Sequence, residues 1–208
     1  MAEISIIDGV AEPGVIASNI ADFLRAALDA GDEPVAISVP GGSTPFPIME
    51  ELVKHDLDWS RVVVWPGDDR VVEEDHPASN RGKIRSLFEP AGAQVAALNP
   101  MEEVPHFALV WLGMGADGHI ASLFPNTDPQ LDVDSSIVQL TPDPLPPEAP
   151  FDRVSLTLPA LLNSDRIMFT LGGSADKHEV FEAALKGEHD LPIARLLGAA
   201  SQPVTCYN

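Results

Sequence analysis

Three short apolar runs, Val35 to Val39, Arg61 to Trp65 and Phe107 to Leu112, each stop within two residues of a glycine. Runs this short and this apolar suit strands buried on both faces, as in a parallel sheet. Glycine at a strand end permits a tight turn and brings bare backbone close to a ligand. Side chains just past such ends gather at the carboxyl edge of the sheet, where α/β folds place their sites. Between the runs the period changes. Pro13 to Ala30 carries Val15, Ile16, Ile20, Phe23, Leu24 and Leu28 at helical spacing. Helices are also expected over Phe46 to Lys54, Ser79 to Phe88, Asp176 to Lys186 and Ile193 to Leu197, and strands over Ser136 to Leu140, Val154 to Leu158, Arg166 to Leu171 and Pro203 to Cys206. The alternation predicts a single α/β domain spanning 1–208, with a mostly parallel sheet and helices on both faces. The proline-rich segment Thr141 to Pro150 is a loop, and the pieces flanking it are too small to be domains.

Charge narrows the partners. The chain has 12 basic and 32 acidic residues, a formal charge of −20. Such a field repels nucleic acid and anionic lipid, so neither is an expected partner. An anionic small molecule has to be met by Arg and Lys gathered locally. Met1 to Val10 lacks the pattern of a secretory leader, and no apolar run approaches a membrane span. The lone Cys206 fits a reducing compartment, so a cytoplasmic protein is expected. The six histidines are scattered without ligand spacing, so neither a metal nor another cofactor is expected. Nothing marks an oligomer seam, and a monomer is the default.

Four segments carry chemistry. Gly113-Met-Gly-Ala-Asp117-Gly-His119 follows the third apolar run and puts a carboxylate and an imidazole on a glycine-rich rim. Histidine exchanges a proton near neutral pH, so this pair is a candidate acid–base centre. Its alternative is a capped turn with a surface histidine. Gly41-Gly42-Ser43-Thr44-Pro45 lies between a strand and a helix. Ser43 or Thr44 can cap that helix, Pro45 suits its first turn, and the bare N–H groups suit a phosphate. Asp68-Asp69-Arg70, followed by Ser79-Asn80, emerges on the same edge. Arg70 can bind an oxygen of the ligand or pair with its neighbouring aspartates. Arg153-Val-Ser-Leu-Thr and Leu171-Gly-Gly-Ser-Ala-Asp-Lys177 complete the set. Lys177 falls in a first helical turn, where the dipole disfavours a cation unless an anion is present. Arg81, Lys83 and Arg85 form a basic run to which no role is assigned.

Taken in order, these motifs resemble the 6-phosphogluconolactonases, over about Ser38 to Leu185. The resemblance implies a Rossmann-like sheet without a dinucleotide, in a fold group shared with glucosamine-6-phosphate deaminases. It also implies hydrolysis of 6-phospho-D-glucono-1,5-lactone, with His119 as base, Asp117 as its neighbour and Arg70 contacting substrate. By the same resemblance Gly41, Gly42, Ser43, Thr44, Asp68, Arg153 and Lys177 bind the sugar phosphate. The deaminases carry a proton-relay glutamate where this chain has Phe124, which carries no proton. A deaminase or isomerase, and a sugar-phosphate sensor without turnover, are the alternatives. The chain departs from the lactonase pattern at Asp69, at Arg81 and at its C-terminus, Asn208.

Overall fold

The computed structural model describes every residue except Met1, Val10, Ala11 and Glu148, so the readings over Met1 to Val10 and Thr141 to Pro150 fall partly outside it. In chain order the elements are β1 (Ile4–Ile7), α1 (Pro13–Asp29), β2 (Val35–Val39), α2 (Pro45–Leu52), β3 (Val62–Pro66), β4 (Asp68–Arg70), α3 (Asn80–Phe88) and β5 (Gln94–Val95). They continue with β6 (Leu109–Leu112), β7 (Ile137–Leu140), β8 (Arg153–Leu156), α4 (Leu158–Leu162), β9 (Ile167–Thr170), α5 (Ala175–Leu185), α6 (Pro192–Ala199) and β10 (Val204–Tyr207). Seven strands form one parallel sheet in the order β1-β10-β9-β6-β2-β3-β5.

Side chains along the central strands alternate between two cores, as a strand covered on both faces requires. Val35, Ile37 and Val39 of β2 pack with α1, α2 and α3, while Ala36 faces the other layer. In β6, Leu109 and Trp111 join the first core, and Val110 and Leu112 the second. The second core is closed by α4, α5, α6 and a small antiparallel sheet, β4-β8-β7. Helix α1 buries Ile16, Ala17, Ile20, Ala21, Leu24 and Leu28, a stripe at helical period. Each buried Ile or Leu contributes roughly 1.5–3 kcal/mol of transfer free energy.

Three strands were not foreseen. Ile4–Ile7 becomes an edge strand only by pairing with β10 at the other end of the chain. The two-residue β5 carries no periodic signal and is held by β3. Asp68–Arg70 is charged throughout and is a strand because it pairs antiparallel with β8, placing Arg70 opposite Arg153. Strands β7 and β8 belong to this second sheet, not to the parallel one.

At the foot of β6, His106 offers a check on the fold. Its Nδ1 lies 2.9 Å from Asn163 Oδ1 and its Nε2 2.8 Å from Asp165 Oδ1. Two oxygen acceptors favour the doubly protonated ring, so the bonds to Asn163 and then Asp165 raise its pKa. A raised folded pKa stabilises fully below the unfolded value, ~6.5, and that stability is lost as pH rises through the folded value. The side chain is 54% exposed, so water and salt screen most of the gain. The thermal midpoint of His106→Ala is expected to lie slightly below wild type near about pH 5.5 and to meet it by about pH 9. An equal gap at both pH values would mean that the ring is not charged in the fold.

Candidate active site

From β2 the chain winds outward through β3 to β5, then returns to β6 on the other side and winds outward through β9 to β10. The winding therefore reverses between β2 and β6, and a crevice opens outside the carboxyl ends of these strands. A cleft of about 270 Å³ lies there. The loops after β2 and β6 form two of its walls, with Asp68 and Arg70 from β4 and Lys177 from α5 completing it. Motifs separated by up to 136 residues in sequence, Gly41 to Lys177, thus share one cavity.

The loop after β6 is folded on itself. Met114 bridges Ile120, Gly115 N–H donates to His119 O at 2.9 Å, and Gly118 N–H donates to Gly115 O at 3.0 Å. This turn brings Asp117 Oδ1 within 2.6 Å of His119 Nδ1 and 3.2 Å of His119 N. The hydrogen bond from His119 holds the Asp117 carboxyl below the usual carboxylate range. Asp117 is therefore ionised near neutrality and can only accept. In the neutral ring Nδ1 then carries the proton, and Nε2 is the nitrogen with the lone pair. No described residue bonds Nε2. Phe124 lies against the imidazole, ring centroids 4.6 Å apart and planes tilted by 35°. A Cβ on Gly115 would run into the His119 ring and the Asp117 carboxylate, so only glycine allows the pair to close over the backbone.

The same cleft carries an anion cradle. The N–H groups of Gly41, Gly42, Ser43 and Thr44 donate to no described protein group. Pro45 begins α2 as expected, but Thr44 makes no side-chain cap bond. The reason is local: Thr44 is already in helical geometry (φ −65°, ψ −44°), which is not the extended conformation of a capping side chain. Its hydroxyl bonds no group among the described residues. Lys177 is half-buried on the cleft wall without an ion-pair partner among the described residues. Bare N–H groups, a helix N-terminus and one unneutralised ammonium together suit a phosphate-sized anion.

Asp68 and Arg70 line the same cleft. Arg70 pairs with neither aspartate through its side chain: its Nη1 donates to Asn80 Oδ1 at 2.7 Å and to Ala78 O at 3.1 Å. Asp69 instead gathers the start of α3, accepting from the N–H groups of Arg70, Asn80 and Arg81 and from Ser79 Oγ. Asp68 is buried and accepts Ser122 Oγ at 2.5 Å. Burial pushes its carboxyl pKa up, with the Ser122 bond opposing. Ser122 is itself buried and does not line the cleft, so it is not a nucleophile candidate.

One expected contact is not in the cleft. Arg153 is buried, 3% exposed, and donates to Phe151 O at 2.5 Å and Ala149 O at 2.7 Å. Its guanidinium braces the proline-rich loop and does not line the cavity. The basic run on α3 also finds local partners: Arg81 and Arg85 pair with Glu74, and Arg85 with Glu89. Asn80 and Thr170 line the cleft without having been given a role. Thr170 Oγ1 accepts the buried Trp111 Nε1–H at 3.0 Å, a cross-strand bond with no signature in sequence. Among the described residues no group of three or more His, Cys, Asp or Glu side chains is placed to hold a metal ion.

The family model described as "Glucosamine-6-phosphate isomerases/6-phosphogluconolactonase" matches residues 13–101 and 89–205. The chain belongs to this family. Among its relatives, the 6-phosphogluconolactonase of Neisseria meningitidis serogroup A is 33% identical over 214 residues, covering 92% of this chain and 91% of that protein. That of Helicobacter pylori strain J99 is 32% identical over 197 residues, covering 85% and 84%. The crystal structure of a 6-phosphogluconolactonase from Shewanella baltica superposes with a TM-score of 0.81 at 29% identity, covering 100% of this chain and 97% of that one. The fold and family implied by the sequence motifs therefore hold across the whole chain.

Proposed function

We propose that this chain hydrolyses 6-phospho-D-glucono-1,5-lactone to 6-phospho-D-gluconate, using His119 Nε2 as the base that activates water. The observation that carries this reading is the Asp117–His119 pair, which leaves Nε2 without a described partner on a residue lining the same cleft as the bare anion cradle. The phosphoryl group sits on Gly41 to Thr44 and Lys177, which fixes the sugar and presents its C1 carbonyl to the imidazole. Nε2 takes one proton as the water oxygen bonds to C1. Negative charge develops on the carbonyl oxygen, and Arg70, which lines the same cleft, meets it. The C1–O5 bond then breaks, and the imidazolium returns its proton to O5. The ring opens to a carboxylic acid, which ionises and releases a proton. Asp117 stabilises the imidazolium and fixes the tautomer throughout.

The protein works, on this reading, as one domain and as a monomer in the cytoplasm. The single Cys206 thiol is pushed up to about 12 by burial and stays unreactive. Among the described residues no helix is long and apolar enough to cross a membrane.

Acid release from freshly generated lactone, followed at constant pH and corrected for spontaneous opening, tests the proposal. Catalysed release supports it. Ammonia from glucosamine 6-phosphate in place of acid would make the chain a deaminase, and binding without turnover would make it a sensor. Asp117→Asn keeps the size of the side chain but removes the charge and the obligatory acceptor. A drop in kcat of about 10- to 10⁴-fold, with KM nearly unchanged, is expected. A rise in KM alone would place Asp117 in binding.

A further inference from the structure

The cleft contains a buried amide that touches three of its working parts. Asn80 is 1% exposed and opens helix α3. Its Oδ1 accepts Arg70 Nη1 at 2.7 Å, and its Nδ2 donates to Asp68 O at 3.0 Å and Asp68 Oδ1 at 3.4 Å. The amide orientation is forced. Exchanging oxygen and nitrogen would set an NH₂ against the guanidinium and an oxygen against two oxygens of Asp68. On a third side lies Gly41, the first glycine of the anion cradle, where any Cβ would strike the Asn80 amide. Among the described residues the guanidinium of Arg70 is held only through Nη1, by Asn80 and by Ala78 O.

We propose that Asn80 is the positioning residue of the reaction, aiming the Arg70 guanidinium at the lactone. Both Nδ2 hydrogens and one Oδ1 lone pair are used within the protein, and the side chain is buried, so it acts through Arg70. The inference rests on the lactonase reading and goes beyond it by naming what orients the charge. Displacing a positioned group by about 1 Å can cost 10²-fold in rate.

The test is a double-mutant cycle read as kcat and KM on fresh lactone. Wild-type turnover is measured first: its absence sinks the lactonase reading and this inference with it. Given turnover, Asn80→Ala is expected to lower kcat/KM by about 10- to 100-fold, chiefly in kcat. In an Arg70→Ala background the same change is expected to cost less than about 2-fold. Equal losses in both backgrounds would make Asn80 merely structural and overturn the inference, as would wild-type kinetics in Asn80→Ala. If the alanine variant does not fold, two variants of similar shape decide. Asn80→Thr keeps a hydroxyl that can accept from Arg70 and should retain more kcat than its isostere Asn80→Val, which has none. Equal kcat in the two would refute the role.

Discussion

Replacing His119 with alanine is expected to lower kcat for lactone opening by about 10²- to 10⁴-fold, the usual worth of a positioned acid–base group. KM should change little, because the anion cradle and Lys177, which hold the phosphoryl group, are left intact. The fold should survive. The described hydrogen bonds of the His119 side chain are confined to Asp117, and it packs on Phe124, so its loss opens no large cavity in either core. Spontaneous opening of the lactone sets a floor beneath the measurement, so the variant must be compared with buffer as well as with wild type. Full activity in His119→Ala at an unchanged thermal midpoint would remove the base from the mechanism.

A second large effect is expected from a residue with no side chain. Gly115 is absent from the positive-φ glycines, so an alanine there meets no backbone strain. It meets the imidazole and carboxylate instead, because the added methyl would occupy the space where His119 and Asp117 join. Both side chains can swing outward, so the protein should fold with nearly wild-type stability. The catalytic pair would be parted, and kcat is expected to fall by about 10- to 100-fold. Adding Gly115→Ala to His119→Ala should then cost almost nothing further, since the methyl acts only by displacing a ring already absent. Wild-type kcat in Gly115→Ala would show that ring position does not set the rate.

These two positions illustrate which parts of the molecule can be read in the chain. Val35–Val39 and Leu109–Leu112 are legible because burial on both faces demands unbroken apolar runs, and their glycine endings locate the sheet edge. Periodicity identifies strands but not partners. Asp68–Arg70 looks like a loop until β8 lies alongside it, and Ile4–Ile7 depends on a strand nearly two hundred residues away. At the site, Asp117 and His119 are close in sequence and therefore close in space. Arg153 shows the opposite case. Its type suits a phosphate, but Phe151 and Ala149 offer carbonyls to its guanidinium within its own loop. Asn80 is legible only as a residue in a motif, because its role comes from Arg70, Asp68 and Gly41 meeting around it.

Electrostatics follow the same division. A charge of −20 argues against anionic ligands, yet among the described residues no carboxylate pairs with Arg70 or Lys177 in the cleft. Arg81 and Arg85, on the outer face, are neutralised by Glu74 and Glu89. Local pairing, not the net total, decides where an anion can rest.

The most direct test of how the two walls cooperate is a crystal structure of the protein soaked with 6-phosphogluconate. The phosphoryl group is expected on the Gly41–Thr44 backbone and Lys177, with a C1 carboxylate oxygen within hydrogen-bonding distance of His119 Nε2. A phosphoryl group bound elsewhere, or a C1 carboxylate out of reach of that nitrogen, would contradict the account.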